Sequence, residues 1–307
     1  MTLVLAITRR QSLWLLTDRR LSTGAGPVRD NATKTMIVET KDGFAILGYA
    51  GLGATGSGTE PSEWMSRLLH GRNLSLEQSL GTIADAMQKK LLSHLHFFPR
   101  GQVAAHHVVV PAFMGQTPKL YSIDLALAAD RKKSLFRYTS HEWNYSQTAI
   151  RPPPVALAGS GGFVLQQMNR WKDWKRNLLR MIKASEQGRV PPRAVASYLA
   201  AISHEVHRAD PLVGPNCVVT WRYNHGLVKY NAGSQSFSGL IPDASSPFIP
   251  TIVSGLDMAA LAADVMAGMQ QAFAQVGDDI FTGKFNMAEL FLPAFTKLPK
   301  NPDDSLN

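Results

Sequence analysis

The sequence predicts an α+β fold of four layers, αββα, in which two sheets lie face to face and each is covered outside by a pair of helices. Three features lead there. The first fifty residues read as short, nearly continuous apolar runs parted by polar turns; two amphipathic helical stretches follow; and a second helical pair lies between later strands. Apolar residues make up 45% of the 307 residues and charged ones 18%, enough for the core of one large domain or two small ones.

Taken in order, residues 2–7 and 12–16 are strands whose unbroken apolar character suits a sheet covered on both faces, with Arg9-Arg10-Gln11 as the tight turn between them. The polar stretch from Arg20 to Pro27 reads as a loop or edge strand. A hairpin then pairs residues 35–40 with 44–49 across Lys41-Asp42-Gly43, where Asp-Gly is expected to supply the positive φ angles of the turn. The run Ala50-Gly51-Leu52-Gly53-Ala54 follows, and without a Gly-Lys-Ser/Thr behind it this is not a phosphate loop.

The first helix is expected from about Ser57, with Pro61 in its first turn and Trp64, Leu68 and Leu69 on one face. The second opens at Ser75 and sets Leu76, Leu80, Ile83, Met87 and Leu91 at helical spacing. Residues 103–139 read as three strands, and 155–158 as a fourth that ends in Gly159-Ser160-Gly161-Gly162. A helix over 163–186 alternates basic residues with Trp171, Trp174, Leu178 and Ile182, a solvated face beside a buried one. A further helix spans 193–208, strands at 217–221 and 227–230 close the sheet, 233–254 reads as a connecting loop, and 256–275 as a last helix before an apolar and then polar tail. His94, His96, His106 and His107 do not make a metal site, because adjacent strand positions face opposite ways and no carboxylate stands at a ligand spacing.

The chemistry is carried by Thr2, Asp18 and Lys34. A threonine hydroxyl is a poor nucleophile near neutral pH and needs a base within hydrogen-bond reach. A free α-amine, with a reference pKa of about 7.7–8.0, can be that base, so Thr2 serves only once Met1 has been removed. Lys34 would favour the neutral amine by like-charge repulsion, and Asp18 would hold the lysine as its counter-ion.

The order Thr2, Asp18-x-Arg20, Asn31-Ala32-Thr33-Lys34 and Gly48-Tyr49-Ala50-Gly51 resembles the proteasome β-subunit family of N-terminal-nucleophile (Ntn) hydrolases, including its bacterial homologues. The resemblance covers residues 1–232, which it makes a proteasome-type Ntn-hydrolase domain, and leaves 233–307 as a C-terminal extension packed on its own or a neighbouring subunit. It implies a four-layer Ntn sandwich with Thr2 as nucleophile, Asp18 and Lys34 as its charge relay, and Ser160 and Asp210 as accessory groups grouped around the threonine. It further implies Gly51 as the oxyanion donor and Arg20, Ser22 and Tyr49 at the substrate. Bland readings stand beside these: Ser160 as a helix N-cap and Ser22 as a loop serine. The sequence departs from the family at Val213, where a serine is the rule. By resemblance the activity is that of a self-compartmentalising threonine endopeptidase, a homo-oligomeric ring acting on peptides or unfolded proteins; no unfoldase partner can be named.

The single cysteine, Cys217, excludes an intrachain disulfide framework and a Cys-rich zinc site. The short apolar start, broken by Arg9 and Arg10, reads as neither signal peptide nor membrane span, so a cytoplasmic protein is expected, with no membrane, metal or cofactor. The formal charge of +9 reads as a basic solvated surface, and nucleic acid is not an expected partner. Two alternatives remain: an Ntn amidohydrolase acting on a small amide, and an inactive ring-forming scaffold or nucleic-acid-associated protein.

Overall fold

The structure is a computed structural model that describes residues 2–21, 29–51, 60–91, 106–130, 133–143, 155–224, 232–245 and 247–276. Strands β1 (Val4–Thr8) and β2 (Ser12–Asp18) form one hairpin, β3 (Thr35–Glu39) and β4 (Gly43–Ala50) a second. Helices α1 (Pro61–Leu69) and α2 (Leu76–Lys90) precede a meander of β5 (His107–Met114), β6 (Thr117–Asp130) and β7 (Lys133–Glu142). Strand β8 (Val155–Ala158) runs into α3 (Gly159–Gln167), followed by α4 (Trp171–Glu186) and α5 (Pro192–Ala209). The remainder comprises β9 (Cys217–Tyr223), β10 (Ala232–Ser238), β11 (Ile241–Pro242), β12 (Thr251–Val253), β13 (Leu256–Asp257) and α6 (Met258–Val276).

Among the described residues this is a mixed α/β fold with two sheets and six helices. One sheet has the order β11-β10-β9-β2-β1-β8 and the other β13-β12-β3-β4-β5-β6-β7. The β12–β3 pair is parallel, with Thr251 opposite Ile37; β1–β2, β2–β9 and β3–β4 are antiparallel.

The two-residue period of a strand explains the apolar runs of the sequence. In β1 and the residue before it, Leu3, Leu5 and Ile7 face a core built with Leu165, Leu178, Ile182 and Leu199 of α3–α5. Val4 and Ala6 face the other way, into a core shared with Ile46, Val109 and Phe113 of the second sheet. On that sheet Leu47, Val108 and Val110 point to a third core with Met65, Leu80, Ile83 and Met87 of α1 and α2. A strand apolar on one face alone could not serve two cores, which is why neither hairpin alternates apolar with polar residues.

Several expectations are met in detail. Ser75 closes a capping box with Gln78 at the start of α2. The basic residues Lys172, Arg176, Arg180 and Lys183 of α4 are exposed while Leu178 and Ile182 are buried. No described helix is long and apolar enough to cross a membrane.

Others are corrected. Neither Asp42 nor Gly43 has a positive φ; the Thr40 N–H donates to the Gly43 carbonyl at 2.8 Å, and the Thr40 side chain braces the turn, its Oγ1 donating to Asp42 Oδ1 at 2.7 Å and accepting from the Gly43 N–H at 3.1 Å. The helix expected over 163–186 is two helices. Met168 adopts an extended conformation (φ −71°, ψ 127°), so α3 keeps its own direction while Trp171, Trp174 and Leu178 turn onto the core beneath α4. The partner of β9 is β10 at Ala232–Ser238, whereas residues 227–230 lie outside the described segments. The expected connecting loop at 233–254 contains strands, because β10 and β12 each satisfy the edge of a sheet already formed. His94, His96 and the tail beyond residue 276 are also outside the described residues.

Candidate active site

Antiparallel pairing sets Val4 of β1 opposite Thr17 of β2, which brings Asp18 beside Leu3 and next to Thr2. The Leu3 N–H donates to Asp18 Oδ1 at 2.9 Å, and the Asp18 N–H returns a bond to the Leu3 carbonyl at 3.0 Å. Lys34 arrives from the other sheet, one residue before β3. Its Nζ donates to Thr2 Oγ1 at 3.1 Å and to Asp18 Oδ1 at 3.0 Å. The second carboxylate oxygen, Oδ2, accepts the N–H groups of Arg20 and Gly214, both at 3.1 Å.

All three side chains are buried: Thr2 is 2% exposed, Lys34 1% and Asp18 0%. Burial pushes the Lys34 ammonium below the ordinary lysine range, against the opposing pull of Asp18. The lysine is thus a cation kept in a dry place by one carboxylate, with the threonine hydroxyl as its only other hydrogen-bond partner among the described residues. Four donors satisfy the carboxylate, three of them backbone N–H groups.

The amino end of α3 forms the other wall. The Gly161 N–H donates to the Thr2 carbonyl at 3.0 Å. Gly159 has φ +76°, and a Cβ there would fall 2.1 Å from the Thr2 carbonyl oxygen, so both the backbone angle and the close approach require glycine. Ser160 is not the N-cap: that position is Ala158, which has no side-chain bond to offer. The Ser160 Oγ is instead buried without a hydrogen-bond partner beside the Thr2 backbone contact.

The remaining candidates sit as follows. Arg20 is paired with Asp30, Nε to Oδ1 at 2.6 Å and Nη2 to Oδ2 at 2.8 Å, and also donates to the Pro211 carbonyl. That guanidinium, opposed by burial, holds the Asp30 carboxyl below the usual range. Asp210 ends α5 and accepts the Leu212 N–H at 3.0 Å; it shapes the turn that presents Gly214 and makes no bond to Thr2. Val213 is fully buried with its carbonyl 2.8 Å from His207 Nδ1. Gly51 is half-buried just past β4, and the loop after it lies outside the described residues, as does Ser22. Tyr49 belongs to the core beneath α1 and α2, its hydroxyl 2.5 Å from His106 Nδ1, while its backbone N–H donates to the Lys34 carbonyl at 2.9 Å.

Sequence reasoning missed Asp30, Leu3, Gly159 and Gly161. Asp30 adjoins the Asn31–Lys34 motif and could have been paired with Arg20 by charge; the others act through backbone groups, which leave no side-chain signal.

A nucleophile candidate therefore touches a lysine whose charge is destabilised, within a frame of fixed donors. No family model matches the chain, and no curated protein does. Among solved structures it is similar to Anbu from Hyphomicrobium sp. strain MC1, at 11% identity and a TM-score of 0.44 over 93% of this chain and 99% of that one. It is also similar to the Anbu complex of Pseudomonas aeruginosa, solved as a helical assembly, at 13% identity and 0.41 over 89% and 96%. A third is Anbu from Yersinia bercovieri, described as an ancestral β-subunit, at 12% identity and 0.43 over 75% and 85%.

Proposed function

We propose that this protein is a threonine peptidase of the Ntn type, active once Met1 is removed. The observation that carries the reading is the buried chain from Thr2 Oγ1 through Lys34 Nζ to Asp18 Oδ1, with links of 3.1 and 3.0 Å. The stacking of the three cores, helices, sheet, sheet, helices, supports a four-layer αββα sandwich.

In this reading Thr2 Oγ1 attacks the peptide carbonyl and its proton passes to the freed α-amine, which Lys34 keeps neutral by like-charge repulsion. The Gly51 N–H stabilises the oxyanion. The amine then protonates the departing peptide nitrogen, and a water activated by the same amine releases the acyl group. Ser160, with its unpartnered buried hydroxyl, is the accessory group nearest to hand. Arg20 and Asp210 act at a distance, by fixing the segments that carry the Asp18 donors. Self-assembly follows by resemblance to ring-forming subunits.

The test pairs mass spectrometry of the purified N-terminus with peptidase assays of the native protein and Thr2→Ala. Loss of Met1 and loss of all hydrolysis in the variant are expected. An active enzyme that retains Met1, or a variant as active as the native protein, overturns the proposal. A substrate panel running from peptides to simple acyl amides decides between peptidase and small-amide hydrolase.

A further inference from the structure

A cavity of about 370 Å³ lies between β5–β6 with Trp143 and the β8–α3 junction, and Gly159 is among its lining residues. Its floor is one connected polar cluster. His107 Nδ1 lies 2.7 Å from Asp124 Oδ1, and the Ser122 hydroxyl donates to Asp124 Oδ2. Trp143 Nε1–H donates to Ser122 Oγ at 3.0 Å, and His141 Nε2 lies 3.0 Å from the same oxygen.

Serine, histidine and aspartate together suggest a second nucleophile, but the connectivity is wrong for one. The Ser122 proton is directed to the carboxylate, and its oxygen already faces the indole N–H and His141 Nε2, so the hydroxyl is held within the cluster rather than presented as a nucleophile. The cluster does something else: it holds a single carboxylate in place. Asp124 is the one Asp, Glu, Lys or Arg among the described residues lining the cavity. Its side chain is 26% exposed; Oδ1 keeps a lone pair beyond the His107 contact, while Oδ2 accepts from Ser122 and lies 3.4 Å from His141 Nε2. Burial raises the Asp124 carboxyl, yet the bonds from His107 and Ser122 outweigh it and keep the group below the usual carboxylate range. The lining also includes apolar Val109 and Leu157 and two exposed aromatic rings, Trp143 at 50% and Phe163 at 64%.

An ionised carboxylate, apolar lining and exposed aromatic rings in one cavity match a long aliphatic stem ending in a cation. We propose that this cavity is a substrate subsite for the ammonium or guanidinium group of a lysine or arginine side chain, with Asp124 as counter-charge. The inference rests on the peptidase reading for the kind of substrate, and Gly159, which lines the cavity and also abuts the Thr2 carbonyl, sets the cavity next to the Thr2 backbone.

Binding can be read without turnover. The full chain carrying Thr2→Ala is titrated calorimetrically with pentapeptides that bear one lysine, or norleucine in its place, at each position in turn. At one position the lysine peptide is expected to bind about tenfold more tightly, about 1.4 kcal/mol, with the advantage shrinking as salt is added. Asp124→Asn should bring the two peptides to equal affinity. Equal affinities at every position in the Thr2→Ala protein, or a preference that survives Asp124→Asn, overturn the subsite; the first result needs no change at the cluster and stands even if Asp124→Asn fails to fold. Hydrolysis by the native protein without basic preference removes the subsite and leaves the peptidase, whereas selective binding without hydrolysis removes the peptidase alone.

Discussion

At the scale of single residues, Asp18 and Lys34 are unequal partners. Removing the lysine leaves Asp18 with three backbone N–H groups, whereas removing the carboxylate charge strands a buried ammonium and turns an amide NH2 toward backbone donors. Lys34→Met is therefore expected to abolish hydrolysis while shifting unfolding free energy little, and Asp18→Asn to cost about 3–5 kcal/mol; urea denaturation of the two variants checks the order. Lys34 also has a signed pH effect. Its folded pKa lies below 10.5, so between the two values the unfolded chain binds more protons, and this group's contribution to stability rises with pH across that window. The triad was legible because three polar side chains interrupt apolar runs. The donors from Leu3 and Gly161 were not, because they are backbone atoms that every residue has.

At the scale of elements, α2 and the β8–α3 junction offer opposite tests. Ser75→Ala breaks one capping box far from the site and is expected to cost about 1 kcal/mol with no change in rate. Gly159→Ala forces a Cβ against the Thr2 carbonyl, displacing the nucleophile; a shift of that order is expected to lower kcat by about 10²-fold. The helices were readable from spacing because each presents one apolar stripe to one core. The break at Met168 was not, since residues on both sides of it keep helical spacing and the reason for it lies in where α3 must point. The turn at 40–43 misled for a related reason: Asp-Gly has a strong local preference, and Thr40 offered a competing side-chain solution that also lets Asp42 accept the Leu76 N–H at 3.0 Å.

At the scale of the whole molecule, the cores make the fold sensitive to alkali. Burial pushes the Cys217 thiol up to about 12, and the Tyr138 and Tyr223 hydroxyls also up to about 12, with Tyr49 raised further. Each of these groups deprotonates more readily in the unfolded chain, so the folded form binds more protons and stability falls as pH climbs through their unfolded values of 9.0 and 10.0. Burial raises the Tyr121 hydroxyl as well, and Lys34 pulls the other way. Chemical denaturation at rising pH is expected to show the loss beginning near the thiol value, and Cys217→Ala to delay it. The sheets themselves were visible in the sequence up to β9, while β10 and β12 were hidden in serine- and proline-rich stretches whose strand character comes from the edges they complete.

Those late pairings have a consequence in time. Thr2, Asp18 and Lys34 precede the segments that complete their surroundings: Asp18 takes one donor from Gly214, 196 residues further on, and β3, just after Lys34, gains its outer neighbour from Thr251–Val253. The β1–β2 hairpin can set Leu3 against Asp18 early, whereas the Gly214 donor and the β12 edge arrive late in synthesis. On the peptidase reading, the proposed nucleophile is therefore fully framed only after those later segments have packed, which spares the growing polypeptide a working site of its own.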